Sequence, residues 1–366
     1  MTIDGTAIAL GIKKELRTRV AALRERYGRV PCLAAVLVGD NPASRLYVRS
    51  KIEAAAFVGI EGIELELPSD VSEATLLEKV AALDADPSVD GILVQLPLPP
   101  QINPDRVIDV ISPAKDVDGF HPSNVAALHL GRPCTLPCTP KGVIRLIDST
   151  ATPIDGKRAV VVGRSNIVGK PVARLLQDRN ATVTVAHSHT VGLADLTREA
   201  DILVVATGHA GLVDGSMIKP GAVVIDVGIT REAACPGDAT LPGTGVPVPG
   251  EAAACTGDAA SRPGDAAFRP GDAAACPGDA ALPGTGVPVP GEAASVRGAA
   301  LVSGTAATPV TGTSLRSGTR LRGDVDFASA SRVASFITPV PGGVGPMTVA
   351  MLMENTIECF ERRLAH

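Results

Sequence analysis

The first part of the chain alternates between two hydrophobic patterns. Apolar residues at helical spacing run from Thr6 to Tyr27, with Gly28 as a terminator, and short continuous apolar runs follow that suit buried strands. Segments of helical periodicity separate these runs, so we predict a parallel sheet with helices on its faces. The predicted elements are strands at 32–38, 63–67 and 91–94 and helices that begin after Asn41-Pro42, at 72 and at Asn103-Pro104.

A second alternating region follows a helix that we predict to open at Thr139, run through Ile147 and link two domains. Its pattern is typical of a doubly wound, Rossmann-like sheet, and a last amphipathic helix has Thr348 in its first turn. We therefore predict an α/β fold. The predicted strands lie at 159–162, 183–186, 202–206 and 222–227, and the predicted helices at 170–179 and 347–363.

The hydrophobic pattern disappears between residues 232 and 320. This segment consists mainly of Ala, Gly, Pro, Thr and Asp, and it repeats: Cys235–Ala253 recurs as Cys276–Ala294, differing only at Thr240. Such a composition buries too little apolar surface to offset the entropy lost on ordering. We therefore predict an extended, mobile insertion.

Length and composition narrow the possible functions. The 366 residues suffice for two domains, and a net charge of −5 with two Tyr, six Phe and no Trp gives neither the basic field nor the stacking surface that nucleic acid requires. The chain has neither a basic-then-apolar leader nor an apolar run of about 18 residues, so we predict a cytoplasmic protein without a membrane partner. The seven cysteines are irregularly spaced, and we predict reduced thiols and no metal site.

Candidate chemistry begins on the helix that follows Asn41-Pro42. At about 100° per residue, Ser44, Tyr47 and Lys51 lie within roughly 60° of each other, on a face that continues into apolar residues. An ammonium beside apolar side chains is costly to desolvate, which favours proton transfer at this lysine. The alternative is a lysine whose stem packs along the core while its ammonium stays in water, and this stretch alone favours that alternative.

Two further polar residues follow predicted elements at the edge of the sheet where ligands gather. Gln95 comes directly after the strand at 91–94, and Asp118 lies in the acidic turn Lys115–Phe120. Each has a structural alternative, since Gln95 can cap a strand end and Asp118 can form an Asx-turn ahead of Gly119.

The loop at 163–169 indicates a nucleotide site, because it joins a predicted strand to a predicted helix. Free backbone amides and the positive end of the helix dipole favour a phosphate there, although Ser165 replaces the middle glycine of the usual dinucleotide fingerprint. The next strand ends at His187-Ser188-His189, without an acid to hold a ribose 2′-hydroxyl, while Arg164 is available for a 2′-phosphate. These residues predict NADP rather than NAD.

Together these segments resemble one enzyme family, the bifunctional methylenetetrahydrofolate dehydrogenase/methenyltetrahydrofolate cyclohydrolases. The resemblance covers residues 1 to about 231 and 321 to the end, and its motifs are long, ordered and mutually spaced. They are Ser44–Lys51, Val94–Pro99, Lys115–Phe120, Cys138–Gly142, Gly163–Pro171, Ile225–Ile229 and Pro339–Thr348. The repeat insertion departs from the family pattern, within the cofactor domain.

The resemblance implies an enzyme with two α/β domains that flank a cleft, typically a homodimer, whose last helix returns to the first domain. Residues 1–146 and 336–366 would form the folate-binding catalytic domain. Residues 147–335, interrupted at 232–320, would form the NADP domain. The implied reactions are oxidation of methylenetetrahydrofolate by NADP⁺ and hydrolysis of the methenyl product to formyltetrahydrofolate.

The resemblance also implies roles for particular residues. Lys51 would be the central catalytic group, Tyr47 would pack against the pterin, and Gln95 and Asp118 would complete the catalytic set. The implied substrate-binding residues are Ser44, Tyr47, Gln95, Asp118, Pro339 and Gly343, and the implied NADP-binding residues are Gly163, Arg164, Ser165, Ser188 and Ile229.

Other functions share parts of this pattern. A short-chain dehydrogenase also uses Tyr-x-x-x-Lys, but there the pair follows the glycine loop, whereas Tyr47 and Lys51 precede Gly163. The alternatives that stay open are a catalytically silent folate- and NADP-binding scaffold that interacts through its repeats, and a dehydrogenase without the second activity.

Overall fold

A computed structural model describes residues 1–233 and 319–364 of the chain. The first half is an alternation of strands and helices, as its hydrophobic pattern predicts. Its elements are α1 (Gly5–Tyr27), β1 (Cys32–Val38), α2 (Pro42–Val58), β2 (Glu61–Leu67), α3 (Glu73–Ala85), β3 (Gly91–Val94), α4 (Pro104–Val110), α5 (Pro122–His129) and α6 (Cys138–Asp148).

The second half repeats this alternation and ends in a long helix. Its elements are β4 (Arg158–Val162), α7 (Gly169–Asp178), β5 (Thr182–Ala186), α8 (Leu193–Arg198), β6 (Ile202–Val205), β7 (Val223–Asp226), β8 (Thr230–Ala233), β9 (Thr319–Arg322), α9 (Phe327–Ala330), β10 (Phe336–Ile337) and α10 (Val344–Leu364). Among the helices of the two described ranges, none is both long enough and apolar enough to cross a membrane.

Side-chain caps fix the ends of the first helices. The Asn41 side chain accepts hydrogen bonds from the backbone N–H groups of Ala43 and Ser44, at 2.9 and 3.3 Å, and so begins α2. Gly28 ends α1 in the left-handed conformation, at φ 70°, where a glycine has no steric penalty. Both features were predicted from the sequence and are confirmed.

The predicted parallel sheet of the first half is confirmed. It has three strands in the order β2-β1-β3, all parallel, and every residue of β1 is buried. Since β1 is the central strand with helices over both faces, its run of apolar residues is continuous rather than alternating. The carboxyl ends of β1 and β3 therefore meet at one edge of the sheet.

The second sheet is also parallel and has the order β10-β7-β6-β4-β5. The strand order reverses beside β4, which lies between β5 and β6, and this confirms the predicted doubly wound arrangement. Phe336 and Ile337 pair with Val223 and Val224 of β7. The domain boundary predicted at residue 336 therefore falls inside this sheet rather than beside it.

The C-terminal helix packs onto the first half of the chain, as predicted. The side-chain amide of Asn355 in α10 donates to the backbone carbonyls of Val117 and Leu136, at 2.8 Å each. Lys141 of α6 lies between Glu354 and Glu358, at 3.0 and 2.8 Å. The bond from Asn355 to Val117 holds the turn that carries Asp118 against α10, and the Lys141 ion pairs hold α6 against the same helix.

Some predicted helix ends are wrong. Thr139 does not cap α6, because the helix begins one residue earlier, after Pro137, and the Thr139 hydroxyl instead contacts the Thr348 hydroxyl at 2.9 Å. Likewise α10 begins at Val344, so Thr348 lies beyond the first turn. The short helices α5 and α8 were not predicted, since each offers only two turns or fewer of periodic pattern.

The predicted insertion at 232–320 lies almost entirely outside the described residues. Its two ends are the exception, because residues 232–233 belong to β8 and residues 319–320 to β9. These two strands form an antiparallel ribbon whose last pair is Ala233 with Thr319. The chain therefore leaves and re-enters the described fold at adjacent positions.

Candidate active site

The predicted face of α2 lines a cleft of about 690 Å³. Tyr47 and Lys51 lie on it, together with the apolar side chains that continue the helical stripe. The opposite wall comes from the first turns of α10 and from the residue that precedes β8. The lining residues are Lys13, Tyr47, Ser50, Lys51, Glu53, Ala54, Phe57, Gln95, Ile229, Gly345, Pro346, Thr348 and Val349.

Lys51 is held by a specific partner. Its side-chain nitrogen donates a hydrogen bond of 2.9 Å to the side-chain carbonyl of Gln95, and the Gln95 amide donates to the backbone carbonyl of Leu96 at 2.6 Å. The second bond fixes the orientation of the Gln95 amide, so that its oxygen faces the lysine. Lys51 is therefore not a lysine whose head simply points into water, and Gln95 does more than cap β3.

Tyr47 borders the same cleft one helical turn before Lys51. Its side chain is 46% exposed although it lies on the face of α2 that packs against the core. A large aromatic ring left open at the mouth of a cleft is available to stack on a planar ligand.

The acidic turn after α4 contains two carboxylates that have different hydrogen-bond partners. Asp116 accepts hydrogen bonds from the backbone N–H groups of Gly119, Phe120 and His121, at 2.9, 3.2 and 2.8 Å. It also accepts from the Asn124 side chain at 2.8 Å. Asp116 therefore forms the turn that the sequence assigned, as an alternative, to Asp118.

Asp118 is thus left for other contacts. Its only hydrogen-bonding neighbour among the described residues is the Cys138 thiol, at 4.0 Å. The pKa of Asp118 is raised to about 6, chiefly by burial and to a lesser extent by the Asp116 carboxylate, while the positive charge of Lys51 opposes both effects. Asp118 lines a small pocket beside the main cleft, with Leu96, Leu98 and Phe120.

Four of the six predicted substrate-binding residues do not line the cleft, and Asp118 is one of them. Ser44 is buried in the first turn of α2, and Pro339 and Gly343 lie in the loop before α10. A Cβ on Gly343 would lie 2.6 Å from the Pro339 carbonyl, and one on Gly5 would lie 1.9 Å from the Gly343 carbonyl. The two loop residues therefore bring the loop against the start of α1, which positions the first turn of α10 at the cleft.

The predicted nucleotide loop lies where the strand order of the second sheet reverses. Gly163 follows β4 at φ 119°, and a Cβ on it would lie 2.2 Å from the carbonyl of Ala206, which follows β6. Only glycine fits this close backbone approach. The crevice at such a reversal is where doubly wound sheets bind nucleotides, so the structure fits a dinucleotide there.

One detail of this loop differs from the prediction. The Ser165 hydroxyl accepts hydrogen bonds from the backbone N–H groups of Val168 and Gly169, at 3.2 and 3.3 Å. These amides at the beginning of α7 are therefore not free for a phosphate. Ser165 shapes the loop and satisfies the helix end in the way that an N-cap residue does.

Arg164 and Ser188 remain open to a ligand. Val162 pairs with Ala186, and the Gly163 N–H donates to the Ala186 carbonyl at 2.9 Å, so the residues that follow β4 and β5 share one edge of the sheet. Both side chains are exposed. Within residues 1–233 and 319–364, the Arg164 guanidinium forms neither a hydrogen bond nor an ion pair.

Ile229 connects the two halves of the site. It follows β7 in the second sheet, is 46% exposed and lines the same cleft as Lys51. Ile229, one of the predicted cofactor-binding residues, therefore lines the same cleft as the predicted catalytic residues Tyr47, Lys51 and Gln95.

Sequence reasoning missed Lys13 and Phe57, which also line it. Neither residue belongs to the apolar stripes that predict these helices, and only the packing of α1 beside α2 makes them part of the cleft wall.

Comparisons with known proteins match almost the whole chain. Residues 3–118 match the family model of the tetrahydrofolate dehydrogenase/cyclohydrolase catalytic domain. Residues 137–250 and 287–364 match the model of the NAD(P)-binding domain of the same family.

Individual relatives agree with the family models. The chain is 44% identical over 360 residues to the bifunctional protein FolD of Azoarcus sp. (strain BH72), covering 98% of this chain and 96% of the relative. A crystal structure of the bifunctional enzyme FolD from Campylobacter jejuni superposes with a TM-score of 0.74 at 36% identity, covering 99% of both chains. A Trypanosoma brucei structure complexed with NADP cofactor and inhibitor gives 0.75 at 36% identity, covering 100% of this chain and 99% of that one.

Proposed function

Because the chain belongs to the tetrahydrofolate dehydrogenase/cyclohydrolase family, we propose that its two reactions take place at the single cleft beside Lys51. The protein oxidises methylenetetrahydrofolate to methenyltetrahydrofolate with NADP⁺ and hydrolyses the methenyl product to formyltetrahydrofolate. One observation carries the assignment of the cleft. The hydrogen bond of 2.9 Å between Lys51 and Gln95 lies in a cavity that Ile229 of the cofactor half also lines.

Lys51 is the proton-handling residue of the hydrolysis in this proposal. The methenyl carbon is an electrophilic amidinium, so attack by water needs a proton acceptor and ring opening needs a proton donor to a ring nitrogen. Lys51 accepts the first proton of the attacking water and returns it to the nitrogen that leaves the carbon. The second proton leaves the intermediate's hydroxyl to solvent as the C–N bond breaks and the formyl C=O forms, so the hydrolysis of the cation releases one proton overall. Gln95 supports this role because its carbonyl oxygen holds the lysine nitrogen in one position.

Tyr47 and Asp118 bind and orient the folate. The exposed Tyr47 ring stacks on the planar pterin. The Asp118 carboxylate accepts hydrogen bonds from the donor edge of the pterin, and such charge-assisted bonds are among the stronger ones in proteins. With a pKa of about 6, Asp118 carries its negative charge at neutral pH. Ser44, Pro339 and Gly343 shape the cleft from behind its walls.

NADP⁺, when bound, accepts the hydride from the methylene carbon. Arg164 and Ser188 contact its 2′-phosphate in this proposal, since both side chains are exposed at the edge of the sheet beside Gly163. Ser165 holds the loop in shape, and Ile229 packs at the junction with the folate.

The two separate sheets support a division of the described residues into two domains. Residues 1–146 with the C-terminal helix form the folate-binding domain, and the remaining described residues form the NADP domain. We further propose a cytoplasmic homodimer with no nucleic-acid or membrane partner. The homodimer is what the family resemblance implies, and the acidic net charge and the low aromatic content support the absence of a nucleic-acid partner. Light scattering after gel filtration should give the mass of two chains, and a monomer mass would contradict the dimer.

The experiment for the assigned activities is turnover by the purified full-length chain with methylenetetrahydrofolate and NADP⁺. Both NADPH and formyltetrahydrofolate should accumulate. A binding scaffold would produce neither, and a dehydrogenase without the second activity would produce NADPH while methenyltetrahydrofolate decayed only at its uncatalysed rate.

A further inference from the structure

The residues that precede α1 pair with the second sheet. Thr2 forms a parallel bridge with Ile337 of β10. The Ile3 N–H donates to the Ile337 carbonyl at 2.8 Å, and the Ile337 N–H donates to the Met1 carbonyl at 3.0 Å. The beginning of α1, in the folate-binding domain, is therefore attached to the sheet of the NADP domain.

The loop that joins β10 to α10 is attached to both domains. At its beginning, the Thr338 N–H donates to the Val224 carbonyl at 3.1 Å, and the Thr338 hydroxyl accepts from the Asp226 N–H at 2.8 Å. Near its end, the Gly342 carbonyl accepts a hydrogen bond of 3.1 Å from the Thr6 N–H of α1. The loop therefore spans from the sheet of the NADP domain to the first turn of α1.

The closest contact between α1 and this loop is at Gly5. A Cβ on Gly5 would lie 1.9 Å from the Gly343 carbonyl oxygen, whereas real Cβ atoms essentially never come within 3.0 Å of another atom. Gly5 does not have a positive φ, so the close backbone contact, and not the backbone angle, requires glycine here. Because the contact is between closely packed backbone atoms, a larger residue at position 5 has to displace the loop by about 1 Å.

A displacement of the loop moves the place where the two domains face each other. The helix α10 begins directly after Gly343, and a Cβ on its residue Gly345 would lie 4.0 Å from the Cδ1 atom of Ile229 in the NADP domain. Gly345 and Ile229 both line the cleft that contains Lys51. The position of the loop therefore sets the separation of the two domains at this cleft.

We propose that Gly5 is a positioning residue for hydride transfer, because its contact with Gly343 sets the distance across the cleft between folate and cofactor. The inference rests on the proposed function of this cleft. Hydride transfer depends on the separation of the domains, since the folate-binding domain holds the methylene carbon and the NADP domain holds the acceptor. A misplacement of about 1 Å in such an arrangement can cost about 10²-fold in rate. Hydrolysis uses the residues around Lys51, which belong to the folate-binding domain alone.

The test is Gly5→Ala in the full-length protein, assayed separately for NADP⁺ reduction by methylenetetrahydrofolate and for hydrolysis of added methenyltetrahydrofolate. The kcat of NADP⁺ reduction should fall about 10–100-fold, while the hydrolysis rate stays within about twofold of the parent. With substrate deuterated at the methylene carbon, the kinetic isotope effect on NADP⁺ reduction should rise, because a slower hydride step limits the rate more strongly. A merely structural role of Gly5 would lower both rates together.

Gly11 provides a matched control in the same helix. It is exposed, and a Cβ on it would meet no atom of the described residues within 4 Å. Gly11→Ala should leave both rates at the parent level.

A second variant, Thr338→Val, perturbs the loop at its other end. It removes the hydroxyl that accepts from the Asp226 N–H and nearly preserves the volume of the side chain. This variant should also lower NADP⁺ reduction more than hydrolysis, which keeps the inference testable if Gly5→Ala does not fold.

Equal losses of the two activities in either folded variant would overturn the inference, and so would an unchanged rate of NADP⁺ reduction in folded Gly5→Ala. Absence of both activities in the parent protein would instead refute the proposed function, so the two failures are distinguishable.

Discussion

Deletion of residues 234–318 should leave the rest of the fold in place, because the two strands on either side of this segment already pair with each other. Ala233 and Thr319 form the last pair of the β8–β9 ribbon. An Asn-Gly dipeptide favours the two-residue turn that joins antiparallel strands, so it can replace the segment without a change of register. We expect the shortened protein to fold and to retain both activities.

The expected gain in stability follows from the entropy lost when the connection between β8 and β9 is closed into a loop. Each doubling of a flexible loop costs about 0.6 kcal/mol in closure entropy, and shortening a connection of about 85 residues to two removes between five and six doublings. If the segment contributes no stabilising contacts, its deletion should raise the free energy of unfolding by up to about 3 kcal/mol. For a chain of this size that corresponds to roughly 5–10 °C in Tm.

The internal repeat provides a graded control. Deleting residues 254–294 removes one repeat unit and about halves the connection, so the expected gain falls to about 0.6 kcal/mol. Calorimetric melting of the three proteins under reducing conditions, which excludes effects of the deleted cysteines, measures the series. A lower Tm or lost turnover in the full deletion would show that residues 234–318 pack against the enzyme and would refute the reasoning.

Three further changes test the site. Arg164→Ala should raise the KM for NADP⁺ at least tenfold and leave that for NAD⁺ nearly unchanged, since a charge-assisted contact is worth roughly 1.5–3 kcal/mol; equal effects would contradict a contact with the 2′-phosphate. The kcat/KM for folate should fall as the pH drops through about 6, where Asp118 gains its proton, and a flat profile between pH 5 and 8 would contradict its role. Burial and the neighbouring Asp324 raise the pKa of Asp226 to about 6, so the stability cost of ionising Asp226 builds up as the pH rises from the ordinary carboxyl pKa to about 6 and is complete above it. Asp324→Asn removes the neighbouring charge, so the change in Tm that it causes should be more favourable at pH 8 than at pH 5 even though Asp324 also accepts hydrogen bonds from Thr207 and Gly208, and a more favourable change at pH 5 would contradict this sign.

Local signals made much of the fold predictable. Asn41 begins α2 and Gly28 ends α1 through contacts within a few residues. The strand β1 is recognisable in the sequence as a continuous apolar run, because a central parallel strand is buried on both faces. The prediction at Thr139 failed because Thr139-Pro140 resembles a helix start, while α6 in fact begins after Pro137.

The parts of the site that escaped prediction depend on contacts between distant segments. Asp116 and Asp118 are equivalent in the sequence pattern, and only the bonds to Gly119, Phe120 and His121 show which one forms the turn. Lys13 enters the cleft through the packing of α1 beside α2. The sequence alone could not decide whether Lys51 transfers protons or extends into water for the same reason, because its partner Gln95 lies on another element.

The most direct test of one shared site is Lys51→Met, measured for methenyl hydrolysis and NADP⁺ reduction on a single preparation, with Lys14→Met as the surface control. Methionine preserves the packing of the lysine stem and removes the proton-transferring nitrogen. The hydrolysis rate should fall about 10²–10⁴-fold, the contribution typical of general acid–base catalysis, while NADP⁺ reduction falls only as far as folate positioning suffers. An unchanged hydrolysis rate would contradict the proton-transfer role of Lys51, and an equal collapse of both rates would make Lys51 an orienting residue instead.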